Sequence, residues 1–456
     1  MPWLVQTSPK IAIVGGGLLG MTLGLRLQAG GARVTILEGA SRSGGLAAPA
    51  EIGGFTWDRF YHVILRTDSN LLGLLRELDL EERLHWGATR TGFYVDGRLH
   101  SLSSSLDFAR FPALSPIDKV RLAATVIRAS RIRDWRPLEE IRAVDWLRRW
   151  SGRRTVDRIW LPLLRAKLGA NAEQASAAFI WAIIARLYGA RRSPMKRESF
   201  GYVDGGYATI LQRFESVLAA AGVESRYGTR VAQVTGHDGG VSVQLERGER
   251  LRFDAVVLTV PCGQAAAVCP QLSEVERTRL RAVTYQGIIC AALLLKEPLA
   301  GYYVTNITDA WVPFTAVVEM TALVDRKTFG GHALVYLPRY VTQDDSSWQA
   351  DDASIEREFV AALERMYPHF RPQDVVACQV SRVREMLAVS TVGYSSRLVP
   401  PVVTSVPNVF IVNSAQIVNG TLNVNETVGL ADGKLPELLA HLGRLRVGHS
   451  QQVGTG

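Results

Sequence analysis

With 456 residues, the chain exceeds what one compact core takes, so two domains are expected. A hydrophobic share of 47% and a charged share of 21% exclude a fibrous or wholly disordered protein. The net charge of +9 rests on arginine, with seven lysines among 52 basic residues, and suits an anionic substrate, anionic lipid or nucleic acid.

Ile11 to Val14 is a short β-branched run and reads as a buried strand. A glycine cluster follows, then helical spacing from Leu18 to Gln28, then a second strand, Arg33 to Leu37, closed by Glu38. This is a βαβ unit. From about Asp107 to Arg197 the pattern turns helical and basic, until Gly205 and Gly206 break it. A helix is expected over 208–221, and strands over 231–234, 241–245, 254–260 and 288–295. The stretch 301–389 mixes short strands with one amphipathic helix at 355–366. A strand at 408–412 and a helix from Glu426 to Leu442 close the chain.

Gly15-x-Gly17-x-x-Gly20 lies between the first strand and its helix. The first glycine permits the tight turn, the second a close approach to a pyrophosphate, the third close packing of helix on strand. The helix N-terminus offers free amides to phosphates. Glu38 is placed to accept ribose hydroxyls, and an acidic residue there favours an unphosphorylated ribose.

After Glu38 comes Ala40-Ser41-Arg42-Ser43-Gly44-Gly45-Leu46, and then Gly54-Phe55-Thr56-Trp57-Asp58 with Phe60-Tyr61-His62. These segments resemble the extended dinucleotide fingerprint of the flavin amine oxidase, protoporphyrinogen oxidase and carotenoid (phytoene) desaturase superfamily. The resemblance implies non-covalent FAD, with Arg42, Gly44 and Gly45 along its pyrophosphate and ribitol. It extends to Gly205-Gly206-Tyr207 with Val231, which would meet the adenine through its backbone. It extends also to Asp254–Pro261, and to Asn408–Val412 with the helix from Glu426, whose N-terminus would point at the flavin. Many relatives carry Gly-Asp where this chain has Asn413-Ser414, so a carboxylate is missing there and Asn413 is left to accept a hydrogen bond. The implied fold is α/β: a Rossmann-like FAD-binding domain of residues 8–100, 205–290 and 395–445, interleaved with an α+β substrate domain of 101–204 and 291–394.

Amine oxidases of this superfamily use a lysine on the strand before a Lys-Glu-Pro-like turn. Aligned on Lys296-Glu297-Pro298, that position holds Cys290, and the segment Ser414 to Asn425 contains no aromatic residue to sandwich an amine. The expected chemistry is therefore dehydrogenation or desaturation of a largely apolar small molecule by hydride transfer to flavin N5. Trp160, Phe179, Trp181, Leu187 and Tyr188 are candidate pocket residues. His62 is the candidate catalytic residue, and Arg66, Lys167 and Arg186 are candidates for an anionic substrate group. Glu319 and His332 have no assigned role. Two alternatives share the architecture: a flavin-dependent sugar isomerase like UDP-galactopyranose mutase, and a non-catalytic isoprenoid carrier.

No helix-turn-helix, zinc finger or aromatic-basic pattern is present, so no nucleic-acid partner is expected. The four cysteines show neither a CxxC pair nor metal-ligand spacing, which fits a reducing cytoplasmic setting without a metal. The N-terminus lacks a signal-peptide pattern. The longest apolar stretch, Ala177 to Ala185, is about half of the roughly 20 residues a spanning helix needs. Peripheral contact with the inner face of a membrane is expected through the arginine-, leucine- and tryptophan-rich stretch between Leu114 and Arg197.

Overall fold

Five short strands, Glu224–Arg226, Arg33–Leu37, Lys10–Val14, Ala255–Leu258 and Val409–Ile411, pair side by side in that spatial order, all parallel. The computed structural model from which this is read describes residues 8–189, 199–418 and 421–452; the side chains of 187–189 and 444–452 lie outside that description. In chain order the strands run 3-2-1-4-5, the doubly wound arrangement. Lys10–Val14 feeds neighbours on both sides, so a crevice opens where Val14 leads into Gly15 and Leu258 into Thr259.

The continuous apolar runs follow from burial on both faces. Ile11 and Ile13 pack with Leu23 and Leu27 of helix Leu18–Ala29 and with Leu438 of helix Val424–Gln452. Ala12, Val256 and Leu258 pack on Val234 and Val243 of a three-stranded sheet formed by Val231–His237, Gly240–Leu245 and Arg250–Phe253. Gly20 is fixed by this packing, since a Cβ there would stand 2.0 Å from the Gly15 carbonyl oxygen.

A second sheet has seven strands: Val375–Ala388, Tyr285–Leu295, Ala333–Val341, Ala316–Glu319, Val304–Ile307, Thr91–Val95 and Arg98–Ser101. Its pairings are antiparallel except that of Val304–Ile307 with Thr91–Val95. Residues 91–100 and 285–290, grouped by sequence with the nucleotide segments, hydrogen-bond into this sheet. Tyr285–Leu295 is buried along its whole length. Ile289, Ala291 and Leu293 face Ile355, Phe359 and Leu363 of helix Asp352–Met366, while Ile288, Cys290 and Ala292 face Trp57, Phe60 and Tyr336.

Helices Pro116–Arg131, Ala143–Ser151, Leu161–Leu168 and Ala177–Gly189 form a helical unit around Trp146, Leu147, Leu164, Leu168 and Phe179. Ser115 and Asp118 close a capping box that starts the first of these, with Pro116 at its first position. No helix among the described residues is long and apolar enough to cross a membrane.

Candidate active site

The glycine turn opens one end of a cleft of about 1000 Å³. Gly15 has φ +118°, and a Cβ there would meet Thr259 Oγ1 at 2.5 Å, so the turn requires glycine. Gly17 is the N-cap of helix Leu18–Ala29 and offers no side chain to its first-turn amides, which stay free for an anion. Gly44, at φ +106°, donates its N–H to the Gly16 carbonyl at 2.8 Å and pairs with Gly17 in an isolated bridge. A Cβ on Gly45 would sit 3.2 Å from Gly17 Cα. The two glycine segments thus lie back to back on the wall of the cleft.

Glu38 lines the same end. Its Oε2 accepts the Gly16 N–H at 2.6 Å and its Oε1 the Ala40 N–H at 2.7 Å. Each carboxylate oxygen keeps acceptor capacity for a hydroxyl. Arg42 is exposed on the cleft wall and Arg59 lies deeper, donating Nη2 to the Gly45 carbonyl at 3.0 Å. Burial lowers the Arg59 guanidinium from its ordinary value, and its Nε has no hydrogen-bond partner among the described residues.

The far end is built by segments distant in sequence. Ile288 comes from one long strand, Val383, Met386 and Leu387 from its neighbour. Tyr61 and Tyr340 meet hydroxyl to hydroxyl at 2.8 Å, and Lys167 Nζ stands 3.4 Å from the Tyr340 oxygen and 4.6 Å from its ring centre. Burial, then the adjoining Tyr340, pushes the Tyr61 phenol well above the ordinary range. His62 lines the wall with Nδ1 3.7 Å from Asp58 Oδ2 and its ring 4.7 Å from that of Tyr207. Asp58 is buried and accepts the Tyr207 N–H at 2.7 Å. Arg186 pairs with buried Asp68 at 3.0 Å, and both line the cleft.

The cleft therefore gathers Gly15, Gly17, Glu38, Arg42, Gly44, Gly45 and His62 from the sequence candidates. Gly20 stands behind it in the helix–strand contact. Three further candidates are also not among the lining residues. Val231 is buried in the core at the start of its strand, paired with Leu245. Asn413 is fully buried and caps a short turn, its Oδ1 accepting the Ala415 N–H at 3.1 Å and its Nδ2 donating to the Val260 carbonyl at 3.0 Å. Glu426 lines a smaller adjoining cavity of about 200 Å³ beside Asp68 and Arg186.

Of the proposed substrate contacts, Lys167 and Arg186 reach the cleft, while Arg66 stacks on Trp86 at 4.1 Å, away from it. Trp160, Phe179 and Trp181 belong to the helical core instead, Trp160 bonded to Ser151 Oγ and Trp181 to the Ala129 carbonyl. The side chains of Leu187 and Tyr188 lie outside the described residues. Cys290 is wholly buried, and burial pushes its thiol up; the cleft residue of that strand is Ile288. Glu319 is structural, accepting the Leu299 and Ala300 amides. His332, partly buried, is not a lining residue. Tyr61, Arg59 and Tyr340 were not singled out as site residues, though Tyr61 stands in the noted Phe60-Tyr61-His62 run.

The model of one protein family, flavin-containing amine oxidoreductase, matches residues 20–423. The chain belongs to that family. Its cofactor is FAD, and the uncapped glycine turn, the glycine pair behind it and the Glu38 carboxylate fit a dinucleotide. A carotenoid phi-ring synthase of Streptomyces griseus is 26% identical over 407 residues, covering 80% of this chain and 75% of that protein. A coproporphyrinogen III oxidase of Mycobacterium tuberculosis is 28% identical over 281 residues, which are 57% of this chain and 61% of that protein. Among solved structures, a putative protoporphyrinogen oxidase from Exiguobacterium sp. 255-15 superposes with a TM-score of 0.77 at 19% identity, covering 96% of this chain and 99% of that one. A reduced UDP-galactopyranose mutase superposes with a TM-score of 0.71 at 15% identity, covering 95% and 94%. At these identities the likeness speaks for the fold.

Proposed function

We propose that this flavin-containing oxidoreductase dehydrogenates or desaturates a largely apolar small molecule and works in peripheral contact with a membrane. The observation that carries the substrate reading is the far end of the cleft, where Ile288, Val383, Met386 and Leu387 bring an apolar surface to the wall. Such a wall orients an apolar molecule and keeps water away. FAD, when bound, would supply the two-electron acceptor. Gly15, Gly17, Gly44 and Gly45 would give the backbone approach that non-covalent binding needs, with Gly20 packing the helix on the strand behind them, while Glu38 would meet the ribose hydroxyls and Arg42 would balance phosphate charge. His62 is the base in this reading: its ring lines the cleft wall, where it can accept the proton that departs from the substrate, with Asp58 Oδ2 3.7 Å from Nδ1.

Ammonium substrates fit poorly. Arg42, Arg59, Lys167, Arg186 and Arg384 line the cleft against three carboxylates, Glu38, Asp68 and Glu385, and Asp68 is already paired. The FAD cofactor sets aside the flavin-free carrier, and the sugar-isomerase alternative has a fold neighbour only.

The membrane reading rests on helix Pro116–Arg131. Its buried side carries Thr125 and Ala129. Its exposed positions are Pro116, Ile117, Val120, Arg121, Ala124, Ile127, Arg128 and Arg131, a helical stripe of apolar and basic residues without a carboxylate. Four of the eight large apolar side chains exposed among the described residues fall within 106–127, namely Leu106, Ile117, Val120 and Ile127. That clustering separates them from ordinary scattered exposure. Anionic lipid complements both characters of the stripe.

Anaerobic mixing of oxidised enzyme with a carotenoid, with coproporphyrinogen III and with simple amines tests the reading. Bleaching of the flavin by an apolar donor and not by amines is expected; bleaching by amines alone contradicts it.

A further inference from the structure

Lys167, Tyr340 and Tyr61 form a hydrogen-bonded chain on the wall of the cleft. The Lys167 ammonium has donors and no acceptor, so where it meets the Tyr340 oxygen, 3.4 Å away, that oxygen accepts. The Tyr340 and Tyr61 hydroxyls share one hydrogen bond at 2.8 Å, in which either oxygen can donate, so the pair has one proton to spare, and when Tyr340 donates that proton is the one on Tyr61. Tyr340 is the only hydrogen-bond partner of the Tyr61 hydroxyl among the described residues. Lys167 also sits over the Tyr340 ring, 4.6 Å from its centre, and has no carboxylate within 4.0 Å among those residues.

We propose that Lys167, Tyr340 and Tyr61 form an oxyanion subsite, in which Tyr61 Oη donates to a negatively charged or strongly accepting oxygen of the substrate. An otherwise apolar substrate then carries a carboxylate, enolate or conjugated carbonyl oxygen at this point. The three residues come from the loop after strand Phe55–Asp58, from strand Ala333–Val341 and from helix Leu161–Leu168, so the arrangement is held by three separate elements. The charge of Lys167 strengthens the bond that Tyr340 gives to Tyr61, and through it the one that Tyr61 gives to the ligand. Burial keeps the Tyr61 phenol protonated and therefore a donor. Hydrophobic surroundings raise the worth of such a donor, because an anion entering there has lost its water.

The inference rests on the substrate reading above only in placing the substrate in this cleft. Benzoate is the anionic probe and benzyl alcohol its neutral counterpart, each titrated into the full-length FAD-loaded enzyme and followed by calorimetry and by the perturbed flavin spectrum. Benzoate is expected to bind at least about tenfold more tightly than benzyl alcohol, as a hydrogen bond to a charged group implies. Tyr61→Phe and Lys167→Met should each lose about tenfold or more of the benzoate affinity while keeping that for benzyl alcohol. Lys167→Arg should retain most of it. Equal affinity for the two probes, or undiminished benzoate binding in either variant, overturns the proposal. If Tyr61→Phe does not fold, Lys167→Met decides alone. Failure here leaves the apolar-substrate reading standing, because that is tested by flavin reduction.

Discussion

Replacing Gly17 by valine separates a cofactor role from a folding role. Gly17 has φ −72° and ψ 173°, extended backbone that any residue adopts. A Cβ added there meets only Gly45 Cα, at 3.9 Å, an ordinary contact. The apoprotein should therefore fold, with its stability changed by about 1 kcal/mol or less. The two γ-methyls reach further, into the space that the glycine pair keeps open for a pyrophosphate, so FAD should be excluded. If wild-type protein is held at 100 times its Kd for FAD, bound cofactor adds about 2.7 kcal/mol of stability, which the variant lacks. At roughly 2.1 cal/mol/K per residue, that is on the order of 3 °C in Tm for a chain of this length. Gly20→Val makes the contrast, because its Cβ would stand 2.0 Å from the Gly15 carbonyl oxygen. Backbone must move there, at a cost of about 3 kcal/mol or more, with or without FAD. Acid-released flavin per chain, gel filtration and melting with and without added FAD read out both variants. A Gly17→Val protein with full flavin occupancy, or one that fails to fold, refutes the reasoning.

Asp68→Asn should cost about 3 kcal/mol in chemical denaturation, since it leaves the partly buried Arg186 without its carboxylate; a change under about 1 kcal/mol would show the pair to be unimportant. Ile117→Asp with Val120→Asp should abolish flotation with vesicles of phosphatidylglycerol and phosphatidylcholine, and wild-type binding should weaken in high salt; a variant that floats like wild type removes this helix from the membrane reading. Burial, against the opposing amides of Leu299 and Ala300, raises the Glu319 carboxyl from its ordinary 4.5. A raised carboxyl contributes stability below pH 4.5 that is lost as pH climbs through the folded value. The stability of Glu319→Gln relative to wild type should accordingly rise with pH across that window, as urea midpoints would show; a flat or falling difference contradicts it.

The glycine turn was legible in the sequence because its demands are local. Gly15 must hold φ +118° and Gly20 must touch backbone, and only glycine does either, whatever the rest of the chain is doing. Glu38 was legible because it ends the strand beside the turn. At the far end His62, Lys167 and Arg186 were legible singly, but their grouping with Tyr61 and Tyr340 was not, since Tyr61 and Tyr340 are 279 residues apart and Lys167 and Tyr340 are 173. No spacing rule connects them. Cys290 shows how strand register misleads: it shares a face with Ile288, yet two residues along the strand separate the cleft wall from the closed core. Trp160 and Trp181 carried no signal to distinguish a pocket from a helix core, and their indole N–H groups are spent on Ser151 and Ala129. The long strand Val375–Ala388, read only as part of a mixed region, brings Val383, Met386 and Leu387 to the cleft.

The most direct test of the account is the rate at which anaerobic donors bleach the oxidised flavin, measured side by side for apolar donors that bear an accepting oxygen and for benzylamine and putrescine. The account predicts reduction by the first group and an unchanged oxidised spectrum with the amines, because the cleft is cationic and its long strand offers Ile288, not a lysine. Rapid bleaching by either amine, with none by the apolar donors, would contradict it.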